Sequence, residues 1–255
     1  MTDKVKIHVE NLKKTFGKLQ VLKDITTDIH EGEVVVVIGP SGSGKSTISL
    51  CLFRILEATE GTIFIDDVDI SQIDLKKLRE SISIIPQDPT IMEGTLRFNI
   101  DPLNKYSDDE IIEAITKVGL THLLDKEKNF GLEMNISADG TNISVGEKQL
   151  VCIVRALLKK SKIIIMDEAT AHIDVNTEKI IQESLKDILP ESTFLTMAHR
   201  IKTILNYDKV LVLDEGNVAE FDTPQNLLKD KNSKFYQLYH NYEAIYFVNN
   251  ILNFL

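Results

Sequence analysis

The run Gly39-Pro40-Ser41-Gly42-Ser43-Gly44-Lys45-Ser46-Thr47 has the residue types and spacing of a phosphate grip. It fits the pattern G-x-x-x-x-G-K-[ST], and it follows an apolar β-branched stretch and opens an apolar helical stretch, residues 48–56. Glycines let such a backbone curl until successive N–H groups point inward at a β-phosphate, and the helix N-terminus adds its partial positive charge. Lys45 is then expected to neutralise β- and γ-phosphate oxygens, and the Ser46 hydroxyl to ligate magnesium. A second chemical element lies at Asp167-Glu168, just past the apolar run Ile163-Ile164-Ile165-Met166. Asp167 is placed to reach the metal or its waters. Glu168, one residue on, points elsewhere and suits acceptance of a proton from a water attacking the γ-phosphate.

The elements that must hold these groups follow from hydrophobic patterning. Continuous apolar runs at residues 34–38, 82–85, 163–166, 194–197 and 210–213 alternate with helical patterns. This predicts an α/β fold whose core is a mainly parallel sheet covered on both faces. Alternating segments at 6–9 and 62–66 predict a flanking antiparallel β portion. Strand signals vanish between residues 88 and 160, which predicts an inserted α-helical lobe. Its best-marked helix is expected to start at Ser107, with Glu110 reaching back three residues later, Ile111, Ile115 and Val118 on one face, and Gly119 as the stop. The chain is thus expected to be one domain. Residues 1–87 and 161–240 form the core with its antiparallel portion, 88–160 the lobe and 241–255 a tail.

Composition narrows the partners. With 29 Lys plus Arg against 39 Asp plus Glu, the net charge of -10 opposes attraction to nucleic acid. No stretch reaches the ~18–20 apolar residues a bilayer crossing needs, so any membrane span is expected from elsewhere. The run 244–255 is too short to cross and reads as a packed helix or docking tail. Cys51 and Cys152, in apolar helical patterns without ligand spacing, read as reduced core residues.

At this point the chain resembles the nucleotide-binding domains of ATP-binding-cassette (ABC) transporters, over about residues 7–239. Gln87 in Ile85-Pro86-Gln87-Asp88-Pro89 is similar to the family's glutamine loop. Ile143-Ser144-Val145-Gly146-Glu147-Lys148-Gln149 is similar to its signature, Ala171-His172-Ile173-Asp174 to the loop after the catalytic acid, and Ala198-His199-Arg200 to the segment with the switch histidine. Phe16 sits where the family stacks an aromatic ring on adenine. The resemblance implies Mg-ATP hydrolysis, with Glu168, His199, Lys45 and Gln87 as catalytic residues and with Ser46, Gln87 and Asp167 around magnesium. It implies that the nucleotide is held by Phe16 and residues 39–47, and by Ser144, Gly146 and Glu147 of a second cassette in a head-to-tail homo- or heterodimer. The further partner implied is the transmembrane domain of a transporter, which places the chain on the cytoplasmic face of a membrane. Residues 87–95 are the expected contact there.

Within the family, several segments look like the second cassette of multidrug-resistance-associated (subfamily C) exporters. They include Gly94-Thr95-Leu96-Arg97-Phe98-Asn99 and Ser144-Val145-Gly146-Glu147-Lys148-Gln149-Leu150. The run Thr15-Phe16-Gly17-Lys18 and residues 31–47 are more similar to ATPases of bacterial polar amino-acid importers. The signature carries Glu147 where the family's common form has Gln, adding negative charge near the phosphates, harmless if that side chain turns to solvent. A regulatory or scaffolding cassette with little turnover is the alternative reading.

Overall fold

The structure is a computed structural model that describes residues 4–86, 88–125, 131–167, 186, 188–197 and 201–241, the side chains of 201–203 excepted. Gln87, Glu168, residues 171–174, His199 and the tail 244–255 lie outside the described residues. The fold is α/β. Its chain divides into two compact units, Met1–Arg79 with Thr193–Leu255, and Glu80–Ser192.

The first unit carries β1 (Val5–Phe16), β2 (Leu19–His30), β3 (Val34–Ile38), β4 (Glu60–Ile65), β5 (Val68–Asp69), β10 (Thr193–Met197), β11 (Lys209–Asp214) and β12 (Asn217–Asp222). They lie in the order β5-β4-β1-β2-β12-β11-β3-β10. β3 is five β-branched residues, all buried, between β10 and β11 and parallel to both. A strand wetted on neither face needs no polar alternation. β1 runs antiparallel to β2 and β4, with register shifts that break its alternation. Both β1 and β4 reach beyond the segments their alternation marks, since bulges scramble the period of two.

Helix α1 (Lys45–Leu52) follows the phosphate loop, and α2 (Leu75–Ser81) follows β5. α1 is shorter than the apolar pattern 48–56. It ends at the C-cap Phe53, and Arg54 turns to φ +48°. The Arg54 guanidinium holds the Ile70 and Ile73 carbonyls at 2.9 and 2.8 Å. Cys51 is a free, buried thiol, and burial pushes its pKa up to about 11, so it stays protonated at neutral pH. Cys152, equally free and buried, is raised for the same reason.

In the second unit β6 (Ile82–Ile85) pairs in parallel with β9 (Ile163–Asp167). Between them come α3 (Leu96–Ile100), α4 (Asp108–Lys117) and α5 (Val145–Lys159). The predicted start of α4 is borne out. Ser107 and Glu110 form a complete capping box, Ile111 and Ile115 are fully buried, and Gly119 follows at φ +78°. One apolar cluster gathers Leu96, Ile100, Ile115, Val151, Val154 and Leu158 from all three helices. The segment is not purely helical, because β7 (Gly94–Thr95) pairs antiparallel with β8 (Asn135–Ile136). Two-residue strands leave no periodic signal. A further helix, α6 (Pro224–Lys229), has Thr223 as N-cap and belongs to the first unit, and residues 234–241 are helical after it.

Candidate functional site

In the first unit, β3 delivers the chain into the loop 39–44, and α1 starts at Lys45. Gly39 has φ +151°, and a Cβ there would meet the Leu213 carbonyl oxygen at 2.2 Å and Ser43 Oγ at 2.7 Å. Gly44, the N-cap of α1 at φ +105°, lies against Leu22 of β2, whose Cδ2 would be 2.4 Å from an added Cβ. Only a glycine admits both that φ and that approach. The loop is therefore curled by its neighbours on β2 and β11.

The Lys45 side chain is buried, and its Nζ donates to the Gly39 and Pro40 carbonyls at 2.7 and 3.0 Å. That fixes the ammonium inside the curl rather than out in water. Among the described residues no side chain caps the first turn of α1, and no acidic residue sits in that turn. Ser43 Oγ is buried and has no hydrogen-bond partner among the described residues. A buried cation, an uncapped helix end and an orphaned hydroxyl in one short loop fit a polyphosphate. Pro40, Ser41 and Gly42 are exposed along its outer lip, and Ser46 and Thr47 open the helix with Ser46 exposed.

Phe16 ends β1, with two residues between it and the start of β2 at Leu19, and β2 carries the Leu22 that packs on Gly44. Its ring is 44% exposed, with Lys14 Nζ 5.3 Å from the ring centroid. An aromatic left this wet on a hairpin braced against the phosphate loop suits a flat ligand ring. Phe16→Ala is expected to weaken ATP binding roughly tenfold, while Phe16→Trp keeps it, because base–aromatic stacking contributes about 1–3 kcal/mol. Titration with a fluorescent ATP analogue reads this directly.

In the second unit, Asp167 closes β9 as a half-buried carboxylate after four buried residues. The signature occupies the start of α5. Ser144 is the N-cap, accepting from Glu147 N at 3.2 Å, while Glu147 Oε2 accepts from Ser144 N at 2.6 Å. The approach to this helix end is pinned by Asn142, which accepts from Ser137 N at 3.0 Å and donates to the Asn135 carbonyl at 2.9 Å. At Gly146 an added Cβ would meet nothing nearer than Ser144 Oγ at 4.0 Å. Packing within the described chain therefore does not require a glycine there.

Glu147 is turned back onto its own helix end, not out to solvent. Its other oxygen, Oε1, meets His122 Nε2 at 2.6 Å. Burial works to raise this carboxyl, but the hydrogen bond from His122 and those from Ser144 outweigh it and hold the group below the ordinary glutamate range. It is an anion at neutral pH. The sequence reading missed His122. Only Glu147's half was legible, since Ser144 with Glu147 three residues on is a capping-box pattern that turns the carboxylate back on its helix end; nothing in it points to His122, 25 residues away.

The segment 90–95 is held from the lobe side. Asn99, fully buried, accepts from Met92 N at 2.9 Å and donates to the Met92 and Thr95 carbonyls at 2.8 and 3.1 Å. Arg155 of α5 adds bonds to the Asn99 and Thr90 carbonyls at 2.6 and 2.9 Å. This ties the segment to the signature helix. Asn99→Ala is expected to cost about 2–3 kcal/mol, because buried backbone groups lose their partners. Chemical denaturation measures it.

Comparison with known proteins decides the family. The family model described as ABC transporter matches residues 22–171, more than half of the chain. The chain belongs to the ABC transporter family. Among relatives, the cassette is 49% identical over 215 residues to "Multidrug resistance protein mrp-7" of Caenorhabditis elegans, covering 84% of this chain and 14% of that one. It is 48% identical over 208 residues to "ATP-binding cassette sub-family C member 3" of Rattus norvegicus, covering 82% and 14%. A solved structure, that of a bacterial Atm1-family ABC exporter with ATP bound, superposes with a TM-score of 0.87 at 30% identity. It covers 94% of this cassette and 42% of that chain. The cassette thus spans about a seventh of the length of these curated relatives. Its likeness is to the subfamily C multidrug-resistance-associated transporters, and the expected similarity of residues 15–18 and 31–47 to importer ATPases is not confirmed by these comparisons. Cassettes of this kind bind ATP and are ATPases. No helix among the described residues is long and apolar enough to cross a membrane.

Proposed function

We propose that this cassette binds and hydrolyses Mg-ATP and that the hydrolysis drives export through membrane-spanning segments of a longer transporter. The observation that carries the reading is the buried Lys45 ammonium, held on loop carbonyls beneath an uncapped helix end. The amides of residues 39–47 and Lys45 grip the β- and γ-phosphates, and Phe16 stacks on the adenine. Ser46 and Asp167, with Gln87, are the oxygen donors for magnesium, a hard cation that neutralises phosphate charge when bound. Glu168 accepts a proton from the attacking water as oxygen bonds to the γ-phosphorus. The bond from that phosphorus to the bridging oxygen breaks, and ADP carries the electron pair away. His199 steadies the γ-phosphate.

The signature end of α5 supplies the second half of the site. Ser144 Oγ stands at this helix end, where it accepts from the Glu147 amide, and Gly146 leaves backbone open to an approaching anion. Head-to-tail pairing of two cassettes brings that end to the other's ATP. The segment 90–95, tied through Asn99 and Arg155 to the same helix, is the contact with the membrane domain. The likeness to an exporter solved with ATP bound supports ATP as the nucleotide and a membrane-spanning partner.

The test is equilibrium binding and phosphate release with the purified cassette. Retention of Mg-ATP at millimolar concentration with steady phosphate release is expected. Loss of nucleotide under those conditions defeats the reading, and tight ATP-dependent dimers without phosphate release would mark a regulatory cassette instead.

A further inference from the structure

The family's common signature has a neutral Gln where this chain has Glu147, and the structure shows what accompanies that change. The 3-10 turn Thr121–Leu124 is anchored by Leu123, buried in the helical cluster, and by its amide on the Leu120 carbonyl at 3.0 Å. From that fixed point His122 reaches Glu147 Oε1, while Oε2 is taken by the Ser144 amide. Both carboxylate oxygens are thus committed on the side of the helix end that faces its own lobe. Lys148, the neighbouring cation on α5, turns away to the Asp139 carbonyl at 2.6 Å and leaves the carboxylate to His122.

We propose that His122 is a positioning residue for the signature, holding the Glu147 carboxylate against its own lobe and off the face that receives the other cassette's ATP. A glutamate in the first turn has freely rotating bonds, and a released carboxylate would place a negative charge beside incoming phosphates. An imidazole N–H can donate to Oε1 in either charge state, so the restraint needs geometry rather than a particular charge. With a neutral side chain at position 147 the restraint has nothing to restrain. The inference rests on the head-to-tail reading above and makes a conditional prediction that this reading alone does not.

The experiment measures ATP-dependent self-association by sedimentation of the cassette carrying Glu168→Gln, with saturating ATP and magnesium. Adding His122→Ala is expected to weaken the dimer about tenfold, the scale of one unscreened charge near a phosphate at partial exposure. His122→Gln, which keeps a donor, is expected to hold the reference affinity, and Glu147→Gln added to His122→Ala to restore it. Unfolding temperatures of all variants are expected to stay close together, because an exposed pair adds little to folding. A dimer unaffected by His122→Ala, or a weakened one that Glu147→Gln fails to rescue, overturns the proposal while leaving the sandwich reading intact. If the Glu168→Gln reference itself shows no ATP-dependent dimer, the sandwich reading falls and this inference with it.

Discussion

Replacing Glu168 by glutamine is expected to slow ATP turnover on the order of 10²-fold or more while leaving ATP affinity within a few-fold of the wild type. The argument runs from position and chemistry. In β9 four buried residues precede Asp167, which is half-buried. In the proposed site Asp167 serves the metal and Glu168 accepts the proton. Glutamine preserves shape and hydrogen bonding but not basicity, so binding is spared and the chemical step is not. Single-turnover phosphate release beside equilibrium binding separates the two, and equal turnover by both proteins would remove Glu168 from the role of base.

How far this site was legible in the sequence depends on what each residue's neighbours contribute. The phosphate loop was readable because its demands are local. A strand, a run of glycines, a lysine and a helix are contiguous, and the structure adds only the reasons, the Leu213 carbonyl against Gly39 and Leu22 against Gly44. β3 and the start of α4 were readable for the same reason, the first from five β-branched residues and the second from a capping box. What depends on distant pairing was not. The β7–β8 bridge joins residues about forty apart through two-residue strands, and the bulges of β1 hide the length of that strand from its alternation. Glu147 illustrates the boundary between the two. Its half of the capping box lies within four residues and could have been read, whereas His122 meets it across 25 residues through a short turn, which no periodicity reports. The solvent-turned side chain that would make this charge harmless is not what the structure has; the carboxylate is bound back on its own helix end and on His122.

Substituting Lys45 by alanine is expected to weaken ATP binding on the order of 10²-fold, because a hydrogen bond to a charged group contributes about 1.5–3 kcal/mol and the proposed contact of a buried ammonium with two phosphates belongs at the upper end of that range. The same change has a second consequence that the geometry makes specific. Lys45 Nζ donates to the Gly39 and Pro40 carbonyls from inside the curl, so its removal takes one donor from each and leaves Pro40 with the Ser43 amide at 3.2 Å, at the point where Gly39 is pressed against Leu213. The loop is therefore expected to lose shape even without nucleotide, and the variant's unfolding temperature to fall by a few degrees. Lysine-to-arginine separates these effects. A guanidinium keeps the charge but, being larger and planar, does not fit the curl, so Lys45→Arg is expected to bind ATP nearly as poorly as alanine. If arginine restored binding while alanine did not, charge alone would be what the site requires, and the curled loop would lose its place as the element that confers the grip.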